Sequence, residues 1–207
     1  EKYKTYQKED FCVIYPDKPF MKPDVLISNC LINPGELYNA RDVEKTYARM
    51  NSMDIMKYVN IRFVPFENDT AKENNLDCYI LLTPTLKQSF SLEVEGTNTA
   101  GDLGVAGNAG VTHRNVFNGA EMLQAKVRGA YEALSTSFQS DYTELGGELG
   151  LTFPDFKMPL LSNDFKKKVD AKTEFNFSYQ NMSRPEFLRT VATAAIRYNW
   201  TKNTYRH

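Results

Sequence analysis

A chain of 207 residues, 42% hydrophobic and 25% charged, is too apolar to stay unfolded and long enough for one large domain or two small ones. A formal net charge of −1 gives no electrostatic basis for binding nucleic acid or a polybasic approach to a membrane. No apolar run approaches the ~20 residues of a spanning helix; a spanning barrel, whose strands need only about 9–11 residues with one apolar face, is not excluded by this.

No signal peptide is visible and Glu1 is no natural start, so the chain is expected to be a mature or excised piece. Cys12, Cys30 and Cys78 are odd in number and widely spaced, which argues against a disulfide framework or a zinc site. They are expected to be three buried small apolar side chains.

The first region, residues 1–85, mixes periods. Phe11-Cys12-Val13-Ile14-Tyr15 reads as a short strand ended by Pro16. Pro23 opens a helix with Val25, Leu26, Asn29 and Cys30 on one side, closed by Asn33-Pro34-Gly35. Asn39 with Asp42 approximates a helix N-cap, and Val43, Tyr47 and Met50 form the amphipathic stripe behind it. Val59, Ile61 and Phe63 alternate with Asn60 and Arg62; after a polar connection, Glu67 to Asn75, Leu76, Cys78, Ile80 and Leu82 alternate with Asp77 and Tyr79. The order is β-α-α-β-β, an α+β unit in which a hairpin packs against two helices.

From Leu86 to the end, residues 86–207, no helical stripe appears. Instead there are about six strand candidates near ten residues each: Leu86–Gly96, Leu103–Thr112, Leu123–Ala133, Tyr142–Phe153, Thr173–Gln180 and Leu188–Trp200. In each, apolar positions alternate with polar ones; Leu123, Ala125, Val127 and Tyr131, for instance, oppose Gln124, Lys126, Arg128 and Glu132. The expected outer face carries Val105, Ala109, Leu123, Val127, Leu145, Leu149, Phe175 and Phe177, opposite Lys126, Arg128, Glu144 and Glu148. A soluble sandwich alternates too. Long strands, aromatics gathered at strand ends (Phe153, Phe156, Phe187, Tyr198, Trp200) and a charged second face favour a partial antiparallel transmembrane β-barrel. Thr97–Gly101 and Asn115–Gly119 read as tight turns, Gly119 being suited to positive φ; Lys166-Lys167-Lys168 reads as a solvated loop.

The combination resembles a known family. Gly35-Glu36-Leu37-Tyr38-Asn39, the helix Val43–Met53 and Ile55-Met56-Lys57-Tyr58-Val59-Asn60-Ile61 resemble a POTRA domain, with Ile55 or Met56 where phenylalanine is usual. Glu95–Gly101 followed by His113–Glu121 is similar to the first hairpins of the BamA/TamA outer-membrane assembly family, in its TamA-like branch. The resemblance covers about residues 20 to 205. It implies a cell outer membrane protein of Gram-negative bacteria, with residues 1–85 as a periplasmic POTRA-like domain and residues 86–207 as the N-terminal part of the barrel. The implied function is insertion of nascent outer-membrane β-barrel proteins, with the lipid bilayer and an inner-membrane-anchored or periplasmic assembly partner as further partners. The family's barrel has sixteen strands, so the chain is expected to be a fragment.

Insertion of this kind needs no catalytic side chain, cofactor or metal, and the chain is expected not to be an enzyme. His113 and His207 lack partners for a catalytic or metal set, and Gly104-Val105-Ala106-Gly107 opens no helix that would make it a phosphate loop. Glu144 and Glu148 read as solvated residues on the polar face. A strand edge exposes unpaired N–H and C=O groups that template another strand. The candidate gate strand is Lys87–Gly96, with Lys87, Ser89, Ser91, Glu93 and Glu95 toward the interior, Phe90, Leu92 and Val94 toward lipid, and Gly96 at its end. A second candidate edge in the neck comprises Tyr58, Val59, Asn60, Ile61, Arg62 and Phe63. The rival readings are a passive structural or substrate-binding β-protein, soluble or porin-like, and a two-partner-secretion translocator.

Overall fold

The computed structural model describes residues 3–65, 75–99, 102–134, 141–155 and 170–201. The chain forms two compact units: Glu1–Leu86 with Phe117–Ala120, and Lys87–Val116 with Glu121–His207.

The first unit contains β1 (Lys4–Lys8), β2 (Phe11–Tyr15), α1 (Pro23–Ser28), α2 (Ala40–Asn51), β3 (Met56–Pro65) and β4 (Leu76–Pro84). Pro23 starts α1, where its fixed φ suits a helix and its missing N–H costs nothing. The helix stops earlier than the Asn33-Pro34-Gly35 signal suggests. Asn29 ends it, its side-chain amide donating to the Val25 carbonyl at 2.8 Å. Asn33-Pro34-Gly35 then forms a separate turn, with Gly35 at φ 78° and the Glu36 N–H donating to the Asn33 carbonyl.

Asn39 caps α2 as read: its Oδ1 accepts from the Arg41 N–H at 3.1 Å, and its Nδ2 donates to Asp42 at 2.6 Å. α2 buries Thr46 and Met50, Val43 is half-buried, and Tyr47 is exposed, a correction to the expected stripe. Thr46 is 0% exposed because its hydroxyl accepts the Leu31 N–H at 2.9 Å, satisfying a donor of the helix–helix connection that an apolar ring would leave orphaned.

Met21, Leu26, Met50, Met53, Ile55, Met56, Val59 and Ala120 form the core, with Ile61, Ile80 and Leu82 from the hairpin packed against it. Methionine is unbranched and fills the irregular gaps between short helices and a two-stranded sheet.

The structure adds a strand to this unit and corrects the expectation for the cysteines. β2 pairs with β1, in register from Lys4↔Tyr15 to Lys8↔Phe11, and β3 with β4, as two separate sheets. The β-α-α-β-β order thus runs from β2 to β4, but β2 is bonded to β1 and not to the hairpin. Lys4-Thr5-Tyr6-Gln7-Lys8 carries almost no apolar pattern that would mark it as a strand in sequence. The cysteines also differ: Cys30 is half-buried, but Cys12 and Cys78 are exposed. A two-stranded sheet covered on one side leaves many of its positions in water.

The second unit is one antiparallel sheet of β5 (Gln88–Thr99), β6 (Asp102–Arg114), β7 (Met122–Ala133), β8 (Tyr142–Phe153), β9 (Asp170–Arg184) and β10 (Phe187–Thr201). The strand order is β10-β9-β8-β7-β6-β5, so neighbours in sequence are neighbours in space, and β5 and β10 are not bonded to each other. Gly101–Gly110 accordingly lies largely within strand β6, not in a phosphate loop. β9 runs well past Gln180: Asn181 and Ser183 look like loop residues in sequence, but they pair with Thr190 and Leu188, and Asn181 donates to the Thr190 hydroxyl at 3.0 Å.

Register defines the faces. Ala109 lies opposite Leu92 and Val127; Leu149 lies opposite Ala125 and Phe177. All eight residues assigned to the outer face share one face, and Lys126, Arg128, Glu144 and Glu148 share the other. In the β6–β7 connection, Gly119 does not take the positive φ expected of it. Asn115 (78°), Asn118 (62°) and Ala120 (65°) do. The asparagines tolerate that region. Ala120 is held there within the first unit's core, next to an Asn118 carbonyl that accepts the Lys22 N–H at 2.8 Å. Ala100, Gly101, Phe156, Lys166–Lys168, His207 and most of the 67–75 connection lie outside the described residues.

Candidate functional site at the sheet edge

β5 is bonded on one side only. Its register with β6 runs from Gln88↔His113 to Thr99↔Asp102, and no strand lies on its other side among the described residues. Lys87 precedes the strand, but its carbonyl still accepts the Arg114 N–H at 2.6 Å. One face carries Phe90, Leu92 and Val94, which are 79%, 81% and 72% exposed. Gly96 continues that face opposite Val105. The other face carries Ser89, Ser91, Glu93 and Glu95. Apolar side chains so exposed beside an unpaired backbone edge require a non-aqueous neighbour or another strand.

The polar face is wired laterally. Asn108 Nδ2 donates to Glu93 at 3.3 Å, and Arg128 Nη1 donates to Asn108 Oδ1 at 3.0 Å. Arg128 lies 4.0 Å from Glu95 and 3.6 Å from Glu144. Glu144 in turn accepts from Gln180 at 2.7 Å and from the Tyr142 hydroxyl at 2.6 Å, and the Arg184 guanidinium lies 4.6 Å from the centre of the Tyr142 ring. Glu148 lies on the same face, exposed to solvent. Arg114 donates to Ser89 at 3.2 Å at one end of the edge.

Small residues of β6 also let its neighbours approach closely beside this wiring. A Cβ on Gly104 would come within 2.5 Å of the Thr97 hydroxyl oxygen and 2.8 Å of the Tyr131 carbonyl oxygen, so only glycine fits between β5 and β7 there.

The second candidate edge sits on β3. Val59 and Ile61 face the core, and Phe63 meets Tyr38 edge-on at 5.0 Å. Tyr58, Asn60 and Arg62 occupy the opposite face, where Arg62 lies 5.8 Å from the centre of the Tyr79 ring. β4 takes one edge of β3, and no strand takes the other among the described residues. Pro65, at the strand's end, has no N–H to offer. Elsewhere in this unit, a hydrogen bond from Lys8 holds the Asp24 carboxyl below its usual range, and the same bond raises the Lys8 ammonium. Burial pushes the Cys30 thiol up, away from the thiolate that reactive chemistry requires. Among the described residues, no group of three or more His, Cys, Asp or Glu is arranged to hold a metal.

No family model matches the sequence, and no curated protein matches it. Among solved structures, the chain is similar to BamA from Haemophilus ducreyi lacking POTRA domains 1–3, at 10% identity and a TM-score of 0.36, covering 100% of this chain and 50% of that one. It is also similar to CdiB from Acinetobacter baumannii, at 10% identity and a TM-score of 0.49, covering 91% of this chain and 42% of that one. The chain thus spans half or less of either structure. Likeness at this level decides neither family nor activity.

The lateral wiring escaped the sequence reading. Alternation put Arg128 and Glu144 on one face, but Asn108, Tyr142 and Gln180 carried no signal as partners. A long cation two strands from the edge, with only Ala106 of β6 in the row between it and Glu95, is the pattern that marks such a reach.

Proposed function

We propose that the chain is the soluble neck and the first wall of an outer-membrane β-barrel that inserts nascent barrel proteins by templating their strands at β5. One observation carries the reading: a continuous exposed apolar face lies beside an open strand edge. Along β6, Leu103 to His113 spans ten residue steps, roughly 33 Å of strand at ~3.3 Å per residue. At a tilt of about 40° this gives a band close to the ~25 Å of outer-membrane barrels. Phe153, Phe175, Tyr198 and Trp200 gather at one end of that face, Phe153 and Phe175 in edge contact at 5.9 Å, as an interfacial girdle requires.

In this reading the apolar face meets lipid, the polar face lines a wet interior, and residues 1–85 form a POTRA-like neck in the periplasm. Two unpaired edges are not tolerated in lipid, so further strands complete the wall. The partners are nascent outer-membrane β-barrel proteins, the lipid bilayer and an inner-membrane-anchored or periplasmic assembly partner. No side chain performs covalent chemistry; backbone N–H and C=O groups of β5 do the recognition.

The test is a lock. Ser91→Cys, disulfide-linked to a cysteine on the closing strand of the full-length protein, holds the edge shut while the barrel stays folded. Client insertion is expected to fail and to return on reduction. Normal insertion by the locked protein would sink the reading. If a secreted passenger stalls while barrel clients still insert, the two-partner translocator replaces it.

A further inference from the structure

We infer that Arg128 is a positioning residue that tethers the edge strand β5 to the body of the sheet, across the intervening strand β6. The inference rests on β5 being the working edge and concerns how that edge is held. Two rows of the polar face carry it. In one, Glu93, Asn108, Arg128, Gly146 and Gln180 lie side by side across five strands. In the next, Glu95, Ala106, Ala130 and Glu144 do so across four. Arg128 sits on β7, two strands from the edge. Its guanidinium leans out of its own row to reach both Glu95 at 4.0 Å and Glu144 at 3.6 Å. A cross-strand pair normally joins adjacent strands. This one skips β6, because β6 contributes only Ala106 to the row being crossed, and Ala106 is 2% exposed. In the first row Asn108 acts as relay, accepting from Arg128 at 3.0 Å and donating to Glu93 at 3.3 Å. Both glutamates of the edge are thereby referred to one arginine. Glu144, fixed by Tyr142 and Gln180, anchors that arginine to the body of the sheet.

The strength suits a reversible hold. Arg128 and Glu95 are each about 40% exposed, 39% and 41%. Water screens such a pair, and exposed pairs contribute only fractions of the backbone ladder's hold. An edge that must release β5 to a client strand benefits from a weak, long-range tether more than from a buried one. The arrangement predicts that β5 is loosened selectively when the tether is cut, and that salt cuts it too.

Hydrogen exchange of the full-length protein in lipid nanodiscs tests this. In Glu95→Gln and in Arg128→Gln, amides of β5 bonded to β6 should exchange roughly two- to fivefold faster than in the native protein. Amides of the β9–β10 hairpin should be unchanged. Arg128→Lys, which keeps the charge, should fall between. In about 1 M salt, where the screening length is ~3 Å, native and Glu95→Gln rates should converge. A purely packing role would not respond to salt in this way. Unchanged β5 exchange in Glu95→Gln at low salt, or a difference that persists in high salt, overturns the tether. The readout needs no client: if these rates behave as expected while the locked Ser91→Cys barrel still inserts clients, the tether stands and the assembly reading falls.

Discussion

At the scale of single residues, the two faces of the large sheet pose opposite demands. Val127 lies on the apolar face opposite Ala109 and Gly147, and Ser178 on the polar face opposite Glu148 and Thr193. Arginine at Val127 should cost roughly 2–4 kcal/mol if the position sits at mid-membrane. Arginine at Ser178, facing Glu148 in a wet interior, should cost less than about 1 kcal/mol. Folding into lipid vesicles, titrated with urea, measures both; equal costs would argue against a membrane wall. Glu144 is unsuited to the comparison, because its carboxylate already serves Arg128, Tyr142 and Gln180. Those bonds were not legible from alternation, which reports the face of a residue but not how far along the face its side chain reaches.

At the scale of elements, the β1–β2 hairpin is tied to α1 by charge. Lys8 donates to Asp24 at 2.7 Å and Tyr6 donates to the same carboxylate at 3.2 Å. The lowered Asp24 carboxyl makes this tie present above the ordinary carboxylate range and lost as pH falls through the lowered value. The raised Lys8 ammonium makes it present below the ordinary lysine value and lost as pH rises through the raised one. A carboxyl carbon titration followed by NMR should show Asp24 ionising below a free aspartate, and Lys8→Met should move it back up. An unshifted midpoint in that variant would show that the hydrogen bond from Lys8 is not the cause. The helices were legible because Pro23 and Asn39 act locally, through a preset φ and a side-chain cap. β1 was not, since a polar strand acquires its identity from its partner, here β2. Gly119 misled for a similar reason: the turn's positive φ values fall where neighbouring packing puts them, Ala120 included.

At the scale of the whole molecule, a wall of this kind should make the full-length protein require detergent and migrate differently on gels when unheated, as closed barrels do. A full-length chain that remains soluble and monomeric without detergent would favour a passive soluble β-protein. The sequence by itself determined the six strands, their chain-order pairing and the face of each side chain. Period-two alternation is a local property, and short connections leave antiparallel neighbours as the simplest topology. Only the tertiary structure decided the register, the pairing of β2 with β1, the burial of Thr46 in place of Tyr47 and the reach of Arg128 over Ala106 to Glu95. Each depends on which distant backbone or side chain arrives opposite, and the free energies involved are those of contacts between strands and helices far apart in sequence.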